Sequence, residues 1–330
     1  MMKVREKVLH ALIESDKFIS GQQLSSELGV SRTSVWKAIK KLKEDGFNIE
    51  SVNNKGYKMI KNPDGLVESL LIHDLTKRGF ELVRLFDTID STNLEAKRQA
   101  DSFGGKGLFI SKEQTHGKGR RGRTWESPKA SGNYMSYLLR PEIEPKDASM
   151  LTLLAGLAVC NAMIDLYEIN VRIKWPNDIV INGKKLCGIL TELSSEIDYV
   201  NYVIVGIGIN VFQKQFPKEI EKIGTSLALE VDETKFKVTK HELILKITDY
   251  MNVYLLKFDQ YKDLSFIKEE YEKQCVNVSG ELRIESNKAS YVGVGRGITS
   301  RGQLLVENSQ GQVSEVNSGE VSVRGIYGYV

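Results

Sequence analysis

Cysteine is scarce in these 330 residues, and the three present, Cys160, Cys187 and Cys275, lie far apart with no Cys-x-x-Cys pair. That pattern suggests neither a disulfide framework nor a zinc site. The N-terminus alternates charge from Lys3 to Lys7 and lacks the apolar core of a signal peptide. The longest apolar run, Leu151 to Ile164, contains Asn161 and is too short to cross a bilayer, so it reads as a buried helix. No G-x-x-x-x-G-K-[ST] phosphate loop is present, and no internal repeat or low-complexity tract is evident. The expectation is a cytoplasmic chain with no membrane attachment.

At 41% hydrophobic and 27% charged residues the composition is that of an ordinary globular protein, so length bounds the organisation instead. A chain of 330 residues is long for one domain and predicts two or three compact units. The net charge of +3 hides an asymmetry. Residues 1–62 hold twelve Lys or Arg against seven Asp or Glu, a local excess of five that leaves −2 for the rest. A basic module on a slightly acidic body points to a polyanionic partner for the first unit only.

Val4, Val8, Leu9, Leu12 and Ile13 recur at helical spacing. Ser20 and Gln23 stand in the S-x-x-Q relation of a capping box opening a helix through Leu28, and Gly29 permits the left-handed turn that ends it. Ser31 can cap a third helix that buries Val35, Ala38, Ile39 and Leu42 and stops at Gly46. Two β-runs, Ile49–Val52 and Tyr57–Ile60, joined by Asn53–Gly56, complete the outline of a winged helix-turn-helix. The third helix turns Arg32, Thr33, Ser34, Lys37, Lys40 and Lys41 away from its core, and Lys55 stands at the hairpin tip. Cations neutralise phosphates, and side chains at the N-terminus of a recognition helix meet base edges, so DNA is the expected partner. A Lys-rich helix face alone is usually just solvated; turn glycine, wing and charge excess together favour DNA. Trp36 is expected to pack in the core rather than touch bases.

Lys61–Gly65 is turn-rich and marks a boundary. The domains expected are a winged helix over 1–62, a linker over 63–75, a catalytic unit over 76–274 and a small β-barrel over 275–330. The catalytic unit reads as strands at Leu82–Ile89, Leu108–Lys112, Tyr134–Leu139 and Tyr202–Val211, with helices at Thr92–Ala100 and Ala148–Tyr167. A hairpin turns at Asn182-Gly183 between Ile179–Ile181 and Leu186–Leu193, and two helices, Lys240–Tyr261 and Phe266–Gln274, close the unit. From Val276 onward short β-runs are punctuated by glycines, as in a small barrel.

The chemistry gathers in a few segments. Gly117–Trp125 reads GKGRRGRTW: glycines let the backbone approach an anion, and guanidinium forks grip phosphate or carboxylate oxygens in pairs. Alone, that loop would fit a basic nucleic-acid contact. Asp90-Ser91-Thr92-Asn93 sits between a strand and a helix, where its polar groups either bind a small head group or serve as an N-cap. Lys174-Trp175-Pro176-Asn177-Asp178 follows a strand, and a proline-locked turn holds its Lys and Asp rigidly. Of Lys184 and Lys185, just past the hairpin turn, one can face inward; otherwise both are solvated. Val205–Val211 superficially suggests a dinucleotide fingerprint, but Val211 stands where the third glycine belongs and no helix follows. Its glycines are expected to let a flat ligand lie against the backbone.

In these motifs, in their order and spacing, the chain resembles the bifunctional biotin–protein ligases that double as biotin-operon repressors, and the resemblance covers essentially its whole length. It implies an α+β fold: an N-terminal winged helix-turn-helix, a central α/β catalytic domain of biotin/lipoate-ligase type with a mixed sheet, and a small SH3-like C-terminal β-barrel. It implies ATP and magnesium as cofactors and biotin as substrate. It also implies the biotin carboxyl carrier protein of acetyl-CoA carboxylase and operator DNA as partners, and a homodimer. Carried over by motif, Ser91, Thr92, Asn93, Gln114, Arg120, Lys185, Gly188, Gly206 and Gly208 are the biotin-binding set. Arg120, Arg121, Arg123, Trp125, Lys174, Asn177, Lys185 and Asn210 are the adenylate set. Lys185, Arg120 and Asp178 are the catalytic candidates, with Lys185 foremost because an ammonium stabilises charge on the transferring carboxyl and phosphoryl oxygens. Asp178 either orients Lys185 or the accepting lysine, or holds magnesium; no metal ligand is otherwise assigned.

The family's loop usually reads Gly-Arg-Gly-Arg-Arg-Gly-Arg, whereas Lys118 stands at the second position here, keeping the charge but losing the bidentate fork. Three rival readings remain at this point. One is a lipoate–protein ligase, whose pocket would be longer and more apolar. Another is a ligand-sensing transcription factor without catalysis. The third is a ligase whose winged helix no longer binds DNA.

Overall fold

Val8, Leu9 and Leu12 line the inner face of helix α1 (Val4–Glu14), and they meet Leu24 of α2 (Gly21–Leu28) and Val35, Ala38, Ile39 and Leu42 of α3 (Arg32–Glu44) in one apolar core. Fully burying each such side chain contributes about 1.5–3 kcal/mol. The structure is a computed structural model and describes residues 3–15, 17–44, 47, 49–60, 65–232, 238–286, 290–319, 321–325 and 329–330. The expected helix stop at Gly46 and the boundary motif 61–64 lie outside the described residues. Two compact units divide the chain: Met1–His73 with Thr239–His241, and Asp74–Val238 with Glu242–Val330.

In the first unit Ser20 caps α2 by accepting from the Gln23 backbone at 3.0 Å, but the Gln23 amide reaches forward to Glu27 at 2.8 Å, so the reciprocal half of the box is not made. Gly29 ends α2 at φ 64°, ψ 37°, and Ser31 caps α3 by accepting from the Ser34 backbone at 3.1 Å. Strands β1 (Ile49–Val52) and β2 (Gly56–Met59) form the hairpin, and Ile19 adds a bridge to Tyr57. Gly56 is required there, because a Cβ would stand 2.1 Å from the Ile19 carbonyl oxygen. The segment expected as linker instead carries a helix, α4 (Glu68–Thr76), and its Leu70 is buried in the core of the first unit. Short apolar runs after a turn look the same in sequence whether they pack or not.

The second unit is built on a mixed sheet. Strands β3 (Leu82–Phe86) and β4 (Gly107–Ser111) run parallel, joined by helix α5 (Thr92–Ala100) as crossover. Strands β5 (Gly132–Leu139), β6 (Arg172–Lys174), β7 (Asp178–Ile181), β8 (Lys184–Ser195) and β9 (Val200–Asn210) complete the seven, in the order β3-β4-β5-β9-β8-β7-β6. Helix α6 (Ser149–Tyr167) is, with its preceding turn, long and apolar enough to span a bilayer, which the run Leu151–Ile164 did not reveal. It is nonetheless a core helix with most residues buried. Its one amide, Asn161, is satisfied at both ends: it donates to Tyr254 at 2.7 Å and Glu270 at 2.6 Å and accepts from Gln274 at 2.7 Å.

Helices α7 (Leu227–Glu230), α8 (Lys240–Tyr261) and α9 (Lys268–Gln274) follow. Five antiparallel strands then form the C-terminal sheet: β10 (Glu281–Ser286), β11 (Ser290–Ile298), β12 (Leu304–Glu307), β13 (Val313–Val316) and β14 (Val321–Gly325), ordered β13-β12-β11-β10-β14. The turn after β6 is one of several ties between this sheet and the catalytic part of the unit. Asn277 Oδ1 accepts from the Trp175 backbone at 2.7 Å, and the Trp175 indole donates to the Gly302 carbonyl at 2.9 Å.

Candidate active site and nucleic-acid interface

Asp90 closes the loop after β3 by taking a two-pronged hydrogen bond from Arg98, 2.9 Å at each oxygen. That guanidinium pulls the Asp90 carboxyl down to about 2. Ser91 next to it starts α5, yet its hydroxyl makes no capping bond and lines a small cavity, which decides against the plain N-cap reading. Thr92 donates through its backbone to Gln114 Oε1 at 2.8 Å, and the Gln114 amide donates to Ser127 at 2.9 Å. Asn93 donates to Glu192 at 2.7 Å, while its carbonyl oxygen and the Thr92 hydroxyl lie 2.6 and 2.7 Å from the Ser136 hydroxyl. Ser136, Ser127 and Glu192 are additions to the expected set. A lone serine inside the apolar strand β5 was the available signal for the first.

Gly206 and Gly208 on β9 explain how these parts fit. A Cβ on Gly206 would stand 2.1 Å from Asn93 Oδ1, and one on Gly208 would stand 2.4 Å from Trp125 Nε1. The flat groups that these glycines seat are thus the protein's own amide and indole, not directly a ligand. The Trp125 ring also lies against Gly188, and its N–H is buried and unpaired among the described residues. Strand β9 lies inside the sheet between β5 and β8 with no helix directly following, as expected for a segment that is not a dinucleotide fingerprint.

Lys184 is exposed and Lys185 points inward, because an irregularity in the β7–β8 ladder, at Leu186 just after it, breaks the alternation of the strand. Backbone bonds to Ile223 at 2.6 Å and from Thr225 at 2.9 Å hold Lys185 in place. Its ammonium pairs with Asp178 Oδ1 at 2.7 Å and lies 5.2 Å from the centre of the Trp125 ring. Asp178 follows a turn whose Trp175–Pro176 peptide is cis. Arg120 donates to Asn177 Oδ1 at 2.8 Å and to the Ser318 carbonyl; burial lowers its pKa while Asp178 opposes that shift. The loop around it is a closed turn, with Gly119 donating to Arg123 at 2.7 Å, Trp125 donating to Gly117 at 2.9 Å, and Arg121 at φ 56°. Arg121 and Arg123 remain exposed.

The expected residues therefore surround two adjoining cavities. Ser91, Thr92, Asn93, Gln114, Gly188, Gly206 and Gly208 line one of about 50 Å³. Arg121, Arg123, Lys174, Asp178 and Asn210 line one of about 510 Å³. Gly119, Arg120, Trp125, Asn177 and Lys185 line both. Lys118 borders the small one. Asn210 also has a structural task, donating to the Thr225 carbonyl at 2.9 Å. The large cavity has walls that the motifs did not reveal: Phe216, Ile220 and Ile223, plus Val323 and Tyr329 from the chain's end. The helical spacing of 216, 220 and 223 was a usable sign; nothing local marked Tyr329.

On the first unit, Arg32, Thr33, Lys37, Lys40 and Lys41 are exposed on α3 and Lys55 is exposed at the hairpin, while Ser34 is half-buried beside its cap Ser31. Trp36 is a correction: it is 54% exposed, with the Lys40 ammonium 5.8 Å from its ring centre. The core stripe of α3 is Val35, Ala38, Ile39 and Leu42, and position 36 falls on the flank it shares with Thr33, Lys37 and Lys40.

A mixed sheet whose glycine-seated polar pocket opens into a cation-walled cavity defines a carboxylate-activating ligase core, in a chain that also carries a helix-turn-helix. Residues 85–210 match the Biotin/lipoate A/B protein ligase family, and residues 4–58 match an HTH domain. The Bifunctional ligase/repressor BirA of Bacillus subtilis is 37% identical over 93% of this chain and 94% of its own length. The Biotin--[acetyl-CoA-carboxylase] ligase of Paracoccus denitrificans is 30% identical over 68% of this chain and 93% of its own length. The structure of the biotin protein ligase from Aquifex aeolicus in complex with biotin and ATP superposes with a TM-score of 0.62 at 32% identity, covering 74% of this chain and 100% of that one. This chain belongs to the family of bifunctional biotin ligases and repressors.

Proposed function

We propose that this chain is an ATP-dependent biotin–protein ligase that also represses transcription by binding operator DNA. The observation that carries the reading is the meeting of the two cavities at Arg120, Trp125 and Lys185. Biotin's ureido ring fits the polar end at Ser91–Asn93 and Gln114, and its carboxylate then reaches the junction. ATP fills the larger cavity, with Arg121, Arg123 and Lys174 against its phosphates. A carboxylate oxygen of biotin attacks the α-phosphorus, pyrophosphate leaves, and biotinyl-5′-adenylate forms. The amine of a carrier lysine next attacks the acyl carbon; an amide bond forms, AMP leaves and a proton is released. Lys185 and Arg120 neutralise charge that develops on the oxygens of both transition states.

Both Asp178 oxygens already have donors, Lys185 and Asn177 on one and Tyr329 on the other. This favours Asp178 as the group that orients Lys185 rather than as a ligand of magnesium. Magnesium would arrive bound to the phosphates of ATP, the usual way this ion is held.

The carrier is the biotin carboxyl carrier protein of acetyl-CoA carboxylase, and the protein acts in the cytoplasm. The modules are a DNA-binding unit over 1–62, a ligase over 76–274 and a β-barrel over 275–330. A single winged helix makes few base contacts, and such modules commonly pair on two-fold sites, so the repressor is a homodimer. Biotinyl-adenylate favours it by ordering the Gly117–Arg123 loop in advance of association.

Two measurements test this reading. Purified protein with ATP and magnesium should show pyrophosphate exchange that depends on biotin; equal exchange with lipoate would sink the biotin assignment. Operator binding and sedimentation of one sample, with and without adenylate, should both change. Ligand-independent DNA affinity in a ligand-independent monomer would remove the switch but leave the enzyme.

A further inference from the structure

Tyr329, the last residue but one, comes from the far end of the chain yet stands in the wall of the larger cavity. Its ring and its hydroxyl meet different partners. Lys174 is only 6% exposed, and its ammonium lies 3.5 Å from the centre of the Tyr329 ring. A desolvated cation over an aromatic face is one of the stronger forms of that contact. The Tyr329 hydroxyl donates to Asp178 Oδ2, while Asp178 Oδ1 accepts from Lys185 at 2.7 Å and from Asn177 at 3.2 Å. Donors from the C-terminal tail, from β8 and from the turn before β7 thus hold one carboxylate.

We propose that Tyr329 is a positioning residue for Lys185 that works through Asp178: its hydroxyl fixes the carboxylate so that Oδ1 keeps the ammonium at the junction of the two cavities. This rests on the ligase reading above. A carboxylate released at Oδ2 can pivot on its Cβ–Cγ bond and draw the lysine off the junction. The polar end of the small pocket at Ser91–Asn93 stays in place, because Tyr329 does not border it, and only Lys185 at the junction shifts. The effect therefore belongs to the rate of adenylate formation rather than to biotin affinity.

The test is biotin-dependent pyrophosphate exchange by the full chain carrying Tyr329→Phe, which keeps the ring over Lys174 and loses only the hydroxyl. A hydrogen bond to a charged group predicts that kcat falls about tenfold. The KM values for biotin and ATP should stay within about twofold of wild type, the split expected when only transition-state stabilisation is lost. Tyr329→Leu, which also removes the ring, should in addition raise the KM for ATP. The decisive arm is a cycle with Asp178→Asn: if Tyr329 acts through Asp178, adding Tyr329→Phe to that background costs nothing further. Wild-type kcat in Tyr329→Phe, or an undiminished tenfold loss in the Asp178→Asn background, overturns the proposal. Absence of exchange in the wild-type protein would be a separate result, against the ligase reading itself.

Discussion

Lys185 and Asp178 stand on adjacent antiparallel strands, β8 and β7, and their side chains close an ion pair at 2.7 Å across an irregular step in the ladder. Asp178 is buried and Lys185 half-buried, so each charge keeps the other in one place at a point where two cavities meet.

Lys185→Ala should slow adenylate formation by on the order of a hundredfold to a thousandfold, the usual scale for one preorganised donor. Thermal unfolding should shift little, since the neighbouring apolar strand residues are untouched. Single-turnover formation of biotinyl-adenylate measures the effect, and near-normal turnover would leave Lys185 a structural partner of Asp178 with no part in the chemistry.

Gly208→Ala places a methyl 2.4 Å from Trp125 Nε1 and 2.7 Å from Cε2, so the indole must leave its seat. Such overpacking costs about 1–3 kcal/mol, and biotin affinity should fall about tenfold or more. Gly104→Ala, where a Cβ meets nothing within 4 Å, is the control and should bind as wild type. Calorimetric titration with biotin distinguishes the two.

Trp36→Ala should weaken operator binding while leaving the melting temperature nearly unchanged, because the ring is 54% exposed. A core tryptophan would cost about 3–5 kcal/mol on truncation, so a large fall in melting temperature would place the ring in the core after all. Fluorescence anisotropy and a thermal melt on one preparation give both numbers.

Each of Lys37→Ala, Lys40→Ala and Lys55→Ala should reduce the slope of log affinity against log salt by about one, with similar loss on operator and unrelated DNA. A lysine whose removal leaves the salt slope unchanged makes no phosphate contact.

Asp90 carries a pH signature. Arg98 lowers its carboxyl from 3.8 to about 2, so the folded state favours the charged form more than the unfolded chain does. The resulting stability is present above about pH 4 and fades as pH falls through 2. The pair is largely solvated, which keeps the effect small. Asp90→Asn should flatten the melting temperature between pH 4 and pH 2 relative to wild type; identical curves would show that the pair contributes nothing.

Local chemistry alone determined much of this protein. Helical spacing located α1 and α3, Ser20 and Ser31 marked helix starts, and Gly29 marked a stop, because caps and periodicity are satisfied within a few residues of chain. The motifs at Ser91–Asn93, Gly117–Trp125 and Lys174–Asp178 were legible because anion and amide recognition demands particular residue types. What the tertiary structure decided lies in contacts between distant segments. Which of Lys184 and Lys185 faces inward depended on an irregularity in the ladder with β7. Whether Trp36 is buried depended on where α3 meets its neighbours, since a tryptophan on the flank of an apolar stripe suits either environment. Glycines 206 and 208 announced a close approach, but only the fold showed that Asn93 and Trp125 make it. Tyr329 reaches Asp178 across 151 residues of sequence, a distance over which no local pattern carries information.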